Sequence, residues 1–174
     1  MKKRLLIHIN TEQFFVIGGV LLTVAIIGIA MVAFKEAKGT AAVATYGATD
    51  QERPQVKVAV NMKDFGEIAV SDVKTAEFIL ENNGNKPLEV YGVTSSCGCT
   101  FGEIEIGGIK SQQFSMHAKS NWVGVVAQGS QAIVRVIYKP SIMPVKGEVT
   151  RMVYVKTNDP KNPELTFSVK ATVK

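Results

Sequence analysis

Leu165-Thr166-Phe167-Ser168-Val169-Lys170-Ala171-Thr172-Val173 alternates apolar and polar residues without a break. A period of two places the apolar side chains on one face of an extended strand and the polar ones on the other, which is the pattern of a strand half buried in a sheet. The same period recurs upstream. Val56, Val58, Val60 and Met62 alternate with polar positions, as do Ala76, Phe78 and Leu80, and again Ala132, Val134, Val136 and Tyr138. Residues 88–94 and 149–157 read as further strands, and Ile104, Ile106 and Ile109 suggest a short one. Turn chemistry separates them. Asn82-Asn83-Gly84-Asn85 is predicted to turn because Asn and Gly tolerate positive φ. Pro140 ends one strand, and Asn158-Asp159-Pro160 with Asn162-Pro163 forms the last loop. About seven or eight strands with no helical period between them predict an all-β, two-sheet antiparallel sandwich, since a parallel sheet would require crossover helices.

The N-terminal third has a different composition. Residues 14–34 carry no charge, and at ~1.5 Å per residue such a helix matches the hydrocarbon core of a bilayer. A cleaved signal peptide has a shorter apolar region, and Ala42-Val43-Ala44, which fits a cleavage site, lies too far beyond the run. The expected organisation is a cytoplasmic tail at 1–12, a single transmembrane signal-anchor at 13–34, a linker at 35–54 rich in Ala, Thr and Gly, and the sandwich at 55–174. Lys2, Lys3 and Arg4 outweigh Lys35 and Lys38. By the positive-inside rule this places the N-terminus in the cytoplasm and the sandwich outside the membrane.

From Gln55 onward 14 Lys/Arg face 11 Asp/Glu, dispersed with mixed sign. Nucleic-acid binding needs a concentrated basic face, so that class is not expected. Hydrolytic chemistry finds little support either. Of the two histidines, His8 falls in the cytoplasmic tail, so a Ser–His–Asp triad would have to use His117. The sequence contains no Gly-x-Ser-x-Gly elbow and no Gly-Lys-Ser/Thr phosphate loop. Trp122, the only tryptophan, reads as an anchor of core or loop.

Cys97-Gly98-Cys99 holds the only two cysteines, and three readings of it stay open. In the first, two reduced thiols pack as small hydrophobes, with Gly98 dictated by backbone geometry. In the second, the pair forms a reversible disulfide. Residues i and i+2 of a strand are ~6.5–7 Å apart at Cα, the outer limit for a bridge, so Gly98 would have to turn the chain. The small ring would be labile rather than strongly stabilising. No helix N-terminus is predicted at Cys97 to activate it. In the third, Cys97 and Cys99 bind a soft metal, Cu(I) ahead of Zn, with His117, Met116 and Met143 as further ligands. The two methionines otherwise read as packing residues and His117 as a surface or capping histidine.

Several motifs in order resemble a bacterial family, domain-of-unknown-function family fifteen-seventy-three. They are Asp64-Phe65-Gly66-Glu67-Ile68; Phe78 to Gly84 followed by Pro87-Leu88-Glu89-Val90; Ser96-Cys97-Gly98-Cys99-Thr100; and Gly147 with Val155 to Pro160. The resemblance implies an immunoglobulin-like fold similar to Hydin-type (ASH) domains. The family implies no established activity. Residues 101–128 are longer than its pattern, with Gln128-Gly129 where Pro-Gly would stand, which leaves the strand order after Cys99 open. The expected function is a membrane-anchored module in the bacterial inner membrane, its domain in the periplasm or outside the cell, in a structural role or binding a protein partner. The rival expectation is redox or copper chemistry at Cys97 and Cys99.

Overall fold

The computed structural model describes residues 43–174, so the expected tail and anchor at 1–34 lie outside the described residues. Among the described residues no helix is long and apolar enough to cross a membrane. Among the described residues ten strands run in chain order: β1 Val56–Val58, β2 Met62–Ile68, β3 Lys74–Asn82, β4 Leu88–Ser95, β5 Thr100–Ile106, β6 Ile109–Lys110, β7 Val123–Val126, β8 Gln131–Tyr138, β9 Gly147–Thr157 and β10 Glu164–Val173. They form two five-stranded sheets, ordered β1-β3-β8-β5-β6 and β2-β10-β9-β4-β7. Within them, β1-β3-β8-β5 opposite β10-β9-β4 reproduces the four-against-three arrangement of an immunoglobulin-like sandwich.

The alternating residues meet between the sheets. Phe78 of β3 and Phe167 of β10 approach to 5.3 Å between ring centroids. Leu80, Leu88, Val90, Val134, Val136, Val153 and Val155 are fully enclosed around them. Each such side chain contributes ~1.5–3 kcal/mol by leaving water. On the outer face of the first sheet Arg135 of β8 lies opposite Glu77 of β3 and Glu103 of β5. It donates to Glu77 at 2.7 Å and to Glu105 at 2.8 Å. Burial alone would lower the guanidinium pKa, but the Glu105 and Glu77 hydrogen bonds outweigh it and raise it further.

Three expectations are corrected. The alternation at Val56–Met62 is not one strand. The chain leaves the first sheet after Val58 and enters the second at Met62, so Val60 and Met62 are exposed. A period of two persists through such a switch and cannot reveal it. The sandwich is also not wholly antiparallel, because β2 pairs in parallel with β10. The link between them is the rest of the domain, which removes the need for a crossover helix. Finally, β5 and β6 form a hairpin through Gly107-Gly108, both at positive φ, a Gly-Gly signal for a two-residue turn that the isoleucine spacing alone does not convey.

One end of the sandwich is tied by a buried polar network. Asp159 accepts from Arg53 Nη1 at 3.0 Å, from the Val56 and Lys161 backbone N–H groups at 3.1 Å each, and from Asn162 Nδ2 at 2.9 Å. Asn82 donates to the carbonyls of Lys86 and Val126 and accepts from the Gly84 N–H. Arg53 and Pro54 are buried, so packing extends two residues before the expected boundary at 55. Gly84 does not have positive φ. Its requirement is close approach, because an added Cβ would lie 2.4 Å from the Arg53 carbonyl oxygen and 2.4 Å from the Gln55 nitrogen.

Two stability outcomes follow, both measurable by denaturant unfolding of the purified chain. Arg53→Met strands the buried Asp159 carboxylate and should cost ~3–5 kcal/mol. Gly84→Ala forces a methyl into backbone, and it should lose at least the ~1–3 kcal/mol typical of overpacking; full retention of stability would refute the close-approach argument.

Candidate functional site

Two features stand apart from simple core packing: a disulfide corner at one end and an open strand edge along one side.

The corner forms where the chain passes from one sheet to the other. β4 ends at Ser95 in the second sheet and β5 begins at Thr100 in the first, so four residues make the crossing. The crossing is held from both sides. The Ser96 N–H donates to the Met152 carbonyl at 2.9 Å and Ser96 Oγ accepts from the Met152 N–H at 3.0 Å, both on β9. The Cys99 carbonyl accepts from the Lys139 N–H at 2.9 Å, just beyond β8. Within the turn the Thr100 N–H donates to the Cys97 carbonyl at 3.2 Å. The turn brings the two cysteine Cα atoms to 5.3 Å, and Cys97 and Cys99 are joined by a disulfide.

This corrects the reading of two reduced, packed thiols. The packing part stands, since Cys99 is 0% exposed and Cys97 is half-buried against the core. The thiols themselves are bonded, because the tight crossing removes the extended spacing that would keep them apart. Gly98 is also not compelled by backbone geometry. It lacks positive φ, and an added Cβ would meet nothing nearer than Met143 Sδ at 3.8 Å.

Of the proposed metal ligands, only Met143 comes to the turn. Met116 and His117 are exposed on the connection from β6 to β7, and among the described residues no three His, Cys, Asp or Glu side chains gather into a metal-binding group. With their sulfurs joined, Cys97 and Cys99 offer no thiolate, the form a soft metal binds. Copper or zinc would first require the bond to be reduced.

The second feature lies along β7, which among the described residues is an edge strand paired only with β4. The connection reaching it is pinned by Phe114, which exchanges backbone hydrogen bonds with Gly102 of β5 at 2.9 and 2.8 Å. The Phe114 ring packs on Trp122 at 5.6 Å between centroids, so Trp122 anchors the loop as expected. Gly124 of β7 lets the Trp122 ring lie against the strand, since a Cβ there would meet Trp122 Cη2 at 2.5 Å and Ile106 Cδ1 at 2.6 Å. A groove of about 240 Å³ opens between the sheet edges, lined by Ile106, Ile109, Trp122 and Val125 among others. Ile109 is 78% exposed and Val125 53%. Sequence reasoning missed this site, although Val123-Gly124-Val125-Val126 is an uncharged run that could have marked it.

No curated protein matches the chain. Among solved structures it is similar to a protein of unknown function from Porphyromonas gingivalis W83, with 16% identity and a TM-score of 0.54, over 75% of this chain and 52% of that one. The chain therefore spans about half the length of that protein. It also aligns with the ASH/PapD-like domain 7 of human CEP192, at 13% identity and TM-score 0.48, covering 77% of this chain and 95% of that domain. A third alignment is to the YadV chaperone, at 15% identity and TM-score 0.43, covering 68% of this chain and 52% of the chaperone. At 16% identity the likeness to the Porphyromonas gingivalis protein concerns fold alone, and nothing is argued from the other two alignments. In sequence, a family described as protein of unknown function (DUF1573) matches residues 56–115. That stretch runs from β1 through the disulfide corner to the residue after Phe114 and leaves the Asn158-Asp159-Pro160 loop outside the match.

Proposed function

We propose that this chain is a membrane-anchored, extracytoplasmic immunoglobulin-like module of the bacterial cell envelope, which binds a protein partner along the β7 edge. The observation that carries the reading is the chemistry of that edge. Natural edge strands are protected by charge, brevity or bulges. Here β1 has three residues and includes Lys57, β6 has two and includes Lys110, and β2 carries Lys63, Asp64 and Glu67 with Gly66 at positive φ. β7, four residues long, has neither charge nor proline, and the groove beside it is mainly apolar, with Lys110 and Ser111 the polar residues of its lining. An extended segment added there would gain main-chain hydrogen bonds and place alternate side chains in the groove.

The extracytoplasmic assignment is supported by the uncharged run at 14–34 with Lys2-Lys3-Arg4 before it. The disulfide fits the same assignment, because such bonds persist in oxidising compartments.

The test is affinity capture of the full-length tagged chain from detergent-solubilised membranes, beside Val125→Lys. The wild-type chain should retain a stoichiometric protein partner. The substitution should remove at least about 90% of it, as expected when one edge position sets binding by ~1.4 kcal/mol or more, with thermal stability unchanged because the side chain is exposed. Equal recovery by both chains would reject the β7 edge, and no partner in either would reject the binding function.

A further inference from the structure

The disulfide corner is asymmetric in a way that the Cys-Gly-Cys motif does not show. Cys99 is completely enclosed, whereas Cys97 is only half-buried. Thiol–disulfide exchange requires an incoming thiolate to reach one sulfur, and access decides which sulfur is attacked. We infer that the Cys97–Cys99 bond is a thiol–disulfide exchange site in which Cys97 Sγ is the attacked sulfur and Cys99 Sγ the leaving group, with a dithiol as the reductant. This activity rests on the corner alone and is independent of binding at β7.

The step balances as follows. A donor thiolate attacks Cys97 Sγ and forms a mixed disulfide. The Cys97–Cys99 bond breaks, and its electron pair passes to Cys99 Sγ. The second thiol of the donor then attacks its own sulfur in the mixed disulfide and releases Cys97. The donor ends as a disulfide and the corner as two thiols, once each sulfur has taken a proton. The reverse sequence reoxidises the pair.

The corner holds groups suited to the charge that appears on Cys99. Burial opposes a thiolate there, so a donor must be at hand. The Thr100 hydroxyl, itself buried, lies 3.2 Å from Cys97 Sγ and 3.9 Å from Cys99 Sγ, in contact with both. Tyr138, the register partner of Thr100, is fully buried, and among the described residues its hydroxyl has no hydrogen-bond partner. The Arg151 guanidinium lies over the Tyr138 ring at 5.6 Å. Arg151 immediately precedes Met152, whose backbone holds Ser96. A buried hydroxyl without a partner is unusual in a native core; this one belongs to the strand paired with β5 and makes no hydrogen bond to either sulfur, so Thr100 is the donor in contact with the bond. The loop that begins with the 3-10 turn Pro140–Ile142 brings the exposed Met143 to the Gly98 side, so the corner has an apolar margin where a donor could rest.

The test uses the oxidised full-length chain in detergent under native conditions. Glutathione, a monothiol with no second thiol with which to resolve the mixed disulfide, is added briefly. The reaction is quenched with N-ethylmaleimide, and fragmentation across Gly98 locates each adduct. The expected result is glutathione on Cys97 and maleimide on Cys99. Glutathione predominantly on Cys99 would overturn the assignment. So would a bond that resists both glutathione and dithiothreitol in the native chain while opening in denaturant. In a second arm, Thr100→Val should slow reduction by dithiothreitol about tenfold, the equivalent of one hydrogen bond to a charged group, and Thr100→Ser should restore the rate. An unchanged rate in Thr100→Val would remove Thr100 from the site.

Discussion

The Asp159 carboxylate is the interaction on which one end of the molecule depends. It is buried, and its two oxygens accept from a guanidinium, two backbone N–H groups and an amide. An ion pair taken out of water is favourable only when its remaining hydrogen-bonding capacity is used, and here the use is distributed over chain-distant partners. Arg53 and Val56 belong to the entry of the first strand, and Lys161 and Asn162 to the loop between the last two strands. Closing this network places β1 on the first sheet while the β9–β10 loop caps the second. Asn82 performs the same task one layer away, joining the 82–86 turn to the end of β7 through the Val126 carbonyl. Asn82 lies within the stretch that the family model matches and Asp159 outside it, and in this structure both perform architectural work.

The opposite end is organised by covalent rather than ionic means. The crossing from β4 to β5 is too short to be loose, and both its flanks are hydrogen-bonded to neighbouring strands. A short ring removes little entropy from the unfolded chain, so the contribution of the disulfide to global stability is small beside that of the core. Its chemistry is therefore more informative than its energetics. One cysteine is enclosed and the other half-buried, on a corner whose backbone is fixed before any reagent arrives. The β7 edge lies at the other end of the same sandwich, since Val126 pairs with Leu88 and contacts Asn82. The two features are separate enough to act independently.

Much of the sandwich was legible in the sequence because a strand with one wet face must alternate. Phe167, Val169, Ala171 and Val173 are buried as their period requires, as are Ala76, Phe78, Leu80, Ala132, Val134, Val136 and Tyr138. The same rule failed at Val60 and Met62, where the chain changes sheets without changing period. It also gave no warning that Gly84 serves a backbone contact rather than a positive φ. The two cysteines were conspicuous as a pair, but their state depended on a turn that spacing alone left open, and the grouping of His117, Met116 and Met143 with them fails because only Met143 belongs to the loop beside the turn. Trp122 announced itself as an anchor, whereas the edge it supports was visible only as an uncharged run with no assigned role.

The class of fold and most of the core could be read from the sequence, because burial periodicity is a local property written along each strand. So could the presence of an uncharged stretch of membrane-spanning length and a single pair of thiols. Edge positions, the parallel pairing of β2 with β10, the Cys-Gly-Cys segment as a sheet-to-sheet corner, and the enclosure of Cys99 but not of Cys97 came only with the tertiary structure. Those outcomes depend on how distant segments meet. Strand order, the closing of a four-residue crossing and the shielding of Cys99 are set by non-local packing, and no window of sequence contains it.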